Sequence, residues 1–390
     1  MNRSQQMATV AHGYVDAGKF AGVEWCVEVD GEVLDQGAVG QADVAAGTAI
    51  PQNALYRIYS MTKPIVSLLA LQLVEQGKLR LYDMVAQYDP RFAAMRVLGA
   101  DGSIAPAQRP ITVEDLLTHR AGMTYEFIHG CHVAPYYRDA EIIGDGVRPL
   151  EDMMEALAQM PLAFQPGTSW RYSVSIDVLA HVCELAGGDS LGNLLEQNIF
   201  APLGMSDTGF AVPESEHDRI MSMYGTAQLE GLPPLDIVPH ELAPMDAESM
   251  YPKNLAGFRR GGHGLFSTSA DYLKFARMLL TGRGPDGDTL ISGPMLKMLQ
   301  ANRIPAQQLP LRIGANALPG YGWGLIGRVQ IDPGQSLALC GGGEFGWAGA
   351  ATTYFWVDPN HAMVGVVMTQ YLGAMLPLTD DMRTAAYQQL

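Results

Sequence analysis

A chain of 390 residues with 48% hydrophobic side chains can bury a sizeable core, as one large domain or two. Its formal charge of −16, from 41 acidic against 25 basic residues, disfavours nucleic-acid phosphates, and no basic patch with interleaved aromatics offsets it. With no apolar run near the ~18 residues of a spanning helix, no apolar signal core in residues 1–16, and four scattered cysteines (Cys26, Cys131, Cys183, Cys340) lacking metal or redox spacing, the expectation is a cytoplasmic protein with buried thiols, away from membrane and nucleic acid.

Residues 5–17 read as an amphipathic helix ended by Gly18. Val23 to Val29 partly alternates, Asp30-Gly31 is a hairpin signal, and Glu32 to Gly40 returns as a second strand. A polar loop over 40–53 leads to the β-prone Leu55–Tyr59. Ile65 to Val74 is then apolar at helical spacing, so Ser60 falls where an extended segment hands over to a helix ending at Gly77. From Tyr82 the pattern shifts, residues 88–92 and 99–110 read as irregular, and Thr112 caps a short helix closed by Arg120–Met123. Residues 124–148 carry Tyr125, Phe127, His129, His132, Tyr136 and Tyr137 without periodicity, as a lid or pocket wall does.

Helices follow over 150–160, 176–186 and 191–200, with Pro166-Gly167 as a turn and Trp170–Ser173 extended. Residues 212–253 read as a second insertion. A glycine-rich loop, Arg260 to Ser269, leads into a helix over 271–280. Short strands over 321–329 and 336–339, a hairpin of 352–358 with 362–369, and a last helix near 376–388 complete the chain. With strands at both ends and helices between, the expected class is α/β of the α+β type. Residues 1–80 and 255–390 form a domain with a central antiparallel sheet flanked by helices, and residues 81–254 form a mainly helical domain with lid-like insertions. The Ser60 helix lies at their junction, where clefts form.

In Ser60-Met61-Thr62-Lys63, hydroxyl and amine stand one helical turn apart on one face, beside N–H groups that favour a developing negative charge. A serine at a helix start also fits a plain cap. Packing by Ile65, Val66, Leu68 and Leu69 would make Lys63 a base by disfavouring its ammonium form. Gly188-Asp189-Ser190-Leu191-Gly192 matches the nucleophile-elbow pattern, but a helix precedes it where an elbow needs a strand, so Ser190 reads as part of a helix–helix turn. The nine histidines have no metal-ligand spacing. Among them, His119 reads as a helix-end or buried hydrogen-bonding residue, and His129 and His132 as loop residues. Gly261-Gly262-His263-Gly264 reads as packing, not as a nucleotide loop.

Four segments, in order, resemble the serine β-lactamase and penicillin-binding-protein superfamily, most closely its esterase branch, the family VIII carboxylesterases. They are Ser60-Met61-Thr62-Lys63, Ile111 to Met123 (ITVEDLLTHRAGM), Pro166 to Ser173 (PGTSWRYS) and Trp347-Ala348-Gly349-Ala350. Pro202 to Met205 and Gly262 to Thr268 are further landmarks, and the likeness spans about residues 20–370. The resemblance implies a β-lactamase/transpeptidase-like fold and a serine carboxylesterase that hydrolyses short-chain acyl esters through a Ser60 acyl-enzyme, with no metal and no cofactor. It implies Ser60, Lys63 and Tyr172 as catalytic residues and the N–H groups of Ser60 and Ala350 as the oxyanion hole. Trp347 and Gly349 would meet a small-molecule ester, as would Tyr125 and Phe127 of the aromatic stretch. Lys63 and Tyr172 both remain candidates for the base, since a phenol of pKa about 10 needs a nearby cation to ionise and the pair titrates together.

Two departures bear on substrate. Tyr172-Ser173-Val174 lacks the asparagine of the lactamase Tyr-x-Asn motif, and Trp347 replaces the lysine of Lys-Thr-Gly. Both favour a neutral ester over an anionic β-lactam. The alternatives are an acyltransferase to an alcohol, a weak β-lactamase or amidase, and a non-catalytic binding homologue. The sequence sets no oligomeric state.

Overall fold

The computed structural model describes residues 5–143, 148–226, 242–254, 257–373 and 376–390. Asp30 and Gly31 both take left-handed backbone, φ 53° and 82°, as a two-residue hairpin turn requires. They join β1 (Gly22–Val29) to β2 (Glu32–Asp43). The remaining strands of the sheet are β3 (Thr48–Ala49), β4 (Tyr321–Trp323), β5 (Arg328–Gln330), β6 (Phe345–Gly349), β7 (Thr353–Asp358) and β8 (Met363–Met368). All eight form one antiparallel sheet in the order β4-β5-β6-β7-β8-β1-β2-β3. β1 pairs with β8, Val27 opposite Gly365, so the two ends of the sequence meet in mid-sheet.

Every residue of β7 and β8 is buried, because both faces of the sheet are covered. On one face lie α1 (Gln6–Asp16) and α5 (Leu378–Tyr387), where Met7, Ala11, Leu378 and Met382 share a core with Trp25, Trp356 and Val367. A side chain on Gly365 would run into the Trp356 ring, so glycine there lets the indole lie across β8. On the other face α4 (Ser269–Thr281) packs Tyr272 and Phe275 against Phe355, with ring centroids 5.0 and 6.2 Å apart.

Beyond α4 runs α2 (Thr62–Glu75), buried on all sides from Thr62 to Leu73, as expected of a helix apolar all round. It packs against α3 (Ser175–Gly187), and Tyr272 ties it to the sheet layer by donating to the Met61 carbonyl at 2.8 Å. All four cysteines are free, Cys131 and Cys183 buried. Among the described residues no helix is long and apolar enough to cross a membrane.

Several expectations are corrected. Residues 336–339 form no strand: Leu337 is 86% exposed, and β6 takes the place beside β5. The polar loop is shorter than expected, since β2 runs to Asp43 and β3 pairs with it. Arg96–Leu98 and Ile104–Pro106 form a small hairpin whose second strand lies inside a stretch read as irregular. The aromatic stretch contains a helix, Ala134–Asp139, and the helix over 191–200 changes to a π turn at Glu196–Phe200. Of the insertion at 212–253, residues 227–241 lie outside the described residues.

Candidate active site

The segment carrying Ser60 is fixed on both sides. Tyr56–Arg57 pairs with Phe266–Ser267, and Ile58 N donates to the Leu265 carbonyl at 3.1 Å. Tyr59 then takes left-handed backbone, φ 43°, a costly conformation for a side chain of this size and one that clusters at functional sites. Tyr59–Met61 forms a 3-10 turn, and α2 begins at Thr62. Ser60 thus sits in the turn before the α-helix proper, with Lys63 still one turn on.

Lys63 Nζ donates to Ser60 Oγ at 3.1 Å and to the Gly262 carbonyl at 2.7 Å. The lysine is only 2% exposed, and burial pushes its pKa down to about 7, opposed by the charge of Asp177. Its ammonium lies between two aromatic faces, 4.9 Å from the centroid of Tyr172 and 5.1 Å from that of Tyr125. Tyr172 Oη accepts the indole N–H of Trp347 at 2.9 Å. Burial pushes the Tyr172 phenol well up, against hydrogen bonds from Ser60 and Trp347 that favour the phenolate. The structure therefore brings Ser60, Lys63 and Tyr172 together.

His119 lies behind Tyr172, ring centroids 4.8 Å apart, and its Nδ1 is 3.3 Å from Ser173 Oγ. Burial pushes its pKa well down, and the charge of Lys63 acts the same way. His263, on the glycine-rich loop, is held neutral by burial and by the charges of Arg260 and Lys63, its pKa near 3. Neither imidazole is a cation at neutral pH.

The end of β6 abuts the nucleophile segment. A side chain on Gly349 would collide with Thr353 Oγ1 and the Ile58 carbonyl, so only glycine permits this approach. Ala350 follows and lines, with Ser60, a cavity of about 140 Å³. Tyr125 and Phe127 form one wall as a stacked pair, centroids 4.9 Å apart and planes 14° apart. Tyr59, Ile143, Met250, His263 and Leu372 also line it.

Trp347 and Gly349 do not line this cavity. Trp347 packs edge-on against Trp323, centroids 4.5 Å apart, and serves Tyr172; Gly349 serves the backbone contact. Ser190 Oγ accepts Asn193 N–H at 3.3 Å as the cap of Leu191–Leu195, remote from the cavity lining. His132 bonds the Leu98 carbonyl, and His129 is exposed.

Sequence reasoning missed Gly262, whose carbonyl holds Lys63, and Asp177, whose carboxylate holds Gly262 N–H. A signal for Asp177 existed: it is one acid inside the apolar run Ile176 to Ala180. Met250 and Leu372 carried none, because each reaches the cavity from a distant part of the chain. Chemically, a serine hydroxyl beside a buried, readily deprotonated amine and a protonated phenol can serve as nucleophile, proton acceptor and proton donor.

The family profile described as Beta-lactamase matches residues 7–389. Esterase EstB of Burkholderia gladioli is 30% identical over 381 residues, covering 95% of this chain and 91% of that protein. Lovastatin esterase of Penicillium rubens is 31% identical over 398 residues, covering 96% and 94%. Among solved structures, EstCE1, titled a hydrolase with promiscuous acyltransferase activity, superposes with a TM-score of 0.81 at 24% identity, covering 99% of this chain and 98% of its own.

Proposed function

Since the chain belongs to the beta-lactamase family, we propose that it is a serine ester hydrolase working through a Ser60 acyl-enzyme. Ester hydrolysis or acyl transfer is the chemistry named for the relatives. The observation that carries the finer reading is Lys63 Nζ at 3.1 Å from Ser60 Oγ, on an amine whose pKa is brought to about 7.

Neutral Lys63 accepts the Ser60 proton as Oγ bonds to the acyl carbon. The oxygen that gains charge is held by the backbone N–H groups of Ser60 and Ala350. Tyr172, kept protonated because burial pushes its pKa up, gives its proton to the leaving alcohol oxygen as the ester bond breaks, and the Lys63 ammonium restores that proton. Water then attacks the acyl-enzyme by the reverse proton path, releasing the acid and free Ser60.

A cavity of about 140 Å³ walled by Tyr125, Phe127, Ile143, Met250 and Leu372 suits a short, neutral acyl chain. It is smaller than the ~300–1,000 Å³ clefts of drug-sized ligands. With Trp347 where a lactamase has lysine, and Val174 where it has asparagine, β-lactam turnover is slow relative to esters.

Intact-mass analysis after a serine-directed phosphonate tests this. One adduct is expected on the wild type and none on Ser60→Ala, which also loses p-nitrophenyl butyrate hydrolysis. An adduct and full activity in Ser60→Ala would sink the assignment. Product analysis with added alcohols separates hydrolysis from transfer.

A further inference from the structure

Asp177 is fully buried at the third position of α3, among the buried apolar residues Ile176, Val178 and Leu179. An acid in the first turn of a helix ordinarily faces that helix's own N–H groups. Here Oδ1 is turned away and accepts the N–H of Gly262 at 2.9 Å. The carbonyl of the same Gly262 accepts Lys63 Nζ at 2.7 Å. A Cβ on Gly262 would lie 2.5 Å from Asp177 Oδ2 and 2.9 Å from Tyr125 Oη, so carboxylate and phenol crowd the one face of this residue. Oδ2 is buried and makes no geometrically close hydrogen bond among the described residues, a costly state for a polar atom.

We propose that Asp177 is a positioning residue for Lys63: through the backbone of Gly262 it fixes the carbonyl that holds the amine, and its charge sets when that amine releases its proton. The inference rests on the Ser60–Lys63 reading above and adds a control to it. The groups facing Lys63 come from every element packed around it. Ser60 precedes α2, Tyr125 and Tyr172 come from the neighbouring loops, and His119 and His263 are held neutral. Asp177 is the acid in this set, and its charge favours the ammonium form against burial. Burial pushes the Asp177 carboxyl above the usual carboxylate range, opposed by the charge of Lys63, the N–H of Gly262, the charge of Arg260 and the N–H of Gly261.

The test is the pH dependence of Ser60 phosphonylation, read by intact mass, in the wild type and in Asp177→Asn and Asp177→Ser. Asparagine keeps an acceptor for Gly262 N–H and removes the charge. Its acid limb should move down by at least about half a pH unit, because Lys63 loses the neighbour that favours its ammonium form, with the plateau within about threefold of wild type. Serine, whose hydroxyl stops one bond short of the carboxylate oxygens, also draws the acceptor back from Gly262 N–H, so the same limb shift should come with a plateau lowered by about 10- to 100-fold. Either neutral variant reads the limb, so a failure of one to fold leaves the other. A merely structural role would lower the melting temperature and leave the limb in place, and an unmoved limb overturns the proposal. Absence of any Ser60 adduct on the wild type would instead overturn the parent reading.

Discussion

The indole N–H of Trp347 donates to the hydroxyl of Tyr172 across 2.9 Å, both side chains buried. Where the resembled lactamases carry a lysine on this strand, this chain carries a neutral donor, and in the proposed mechanism the phenol keeps its own proton for the leaving alcohol. Trp347→Phe keeps most of the packing and removes the donor. We expect kcat for p-nitrophenyl butyrate to fall about tenfold, equivalent to ~1.4 kcal/mol, with KM within about twofold. Steady-state kinetics check the split; a raised KM at constant kcat would make Trp347 a substrate contact instead.

The pH–rate profile should show one acid limb near 7. Lys63 must be neutral to take a proton, and its neutral fraction rises with pH through its pKa of about 7, so kcat/KM rises with pH. His119 and His263 are already neutral across this range and add no limb. A limb that falls as pH rises through 7 would contradict this order of protonation.

Gly349→Ala drives a methyl group into the Ile58 carbonyl, next to the turn that carries Ser60. The end of β6 and the nucleophile segment must then part. Activity should drop by more than about tenfold, since a misplacement of about 1 Å at reacting atoms costs about 10²-fold. Ala348→Gly, one residue back on the same strand, should retain activity.

Ser190→Ala separates the elbow-like motif from the active site. It removes the cap of Leu191–Leu195, costing about 1 kcal/mol of stability. Thermal unfolding should show the loss, and ester hydrolysis should persist near the wild-type rate.

Leu372→Ala opens the cavity floor. The ratio of kcat/KM for p-nitrophenyl octanoate over butyrate should rise several-fold. Truncation of a buried leucine costs about 2–5 kcal/mol, so unfolding is measured alongside. An unchanged ratio would place the acyl chain elsewhere.

What could be read from residue order was local chemistry. The Asp30-Gly31 turn, the Thr112 cap with its Asp115 partner, the Ser190 turn and the Ser60–Lys63 spacing all depend on neighbours a few residues away. Ser60, Lys63 and Tyr172 were legible for a second reason, the ordered set of family-like segments. Less legible was everything assembled through space. Trp347 looked like a pocket residue because it follows the family strand, yet its indole turns into the core toward Tyr172 and Trp323. Residues 336–339 looked like a strand because short apolar runs are ambiguous, and sheet neighbours decided otherwise. Gly262, Met250 and Leu372 have no motif, since each matters only for what distant segments bring to it.

The pairing of β1 with β8 has a consequence during synthesis. Ser60 emerges from the ribosome about 290 residues ahead of Ala350, which at ~5–20 residues per second is on the order of 15–60 s. Through that interval the nascent chain holds a serine and a lysine but neither the final strand pair nor the β6 end that braces the nucleophile turn. On the proposed mechanism, reactivity at Ser60 awaits the synthesis of β6, and a polypeptide truncated before Ala350 is expected to be inert toward esters.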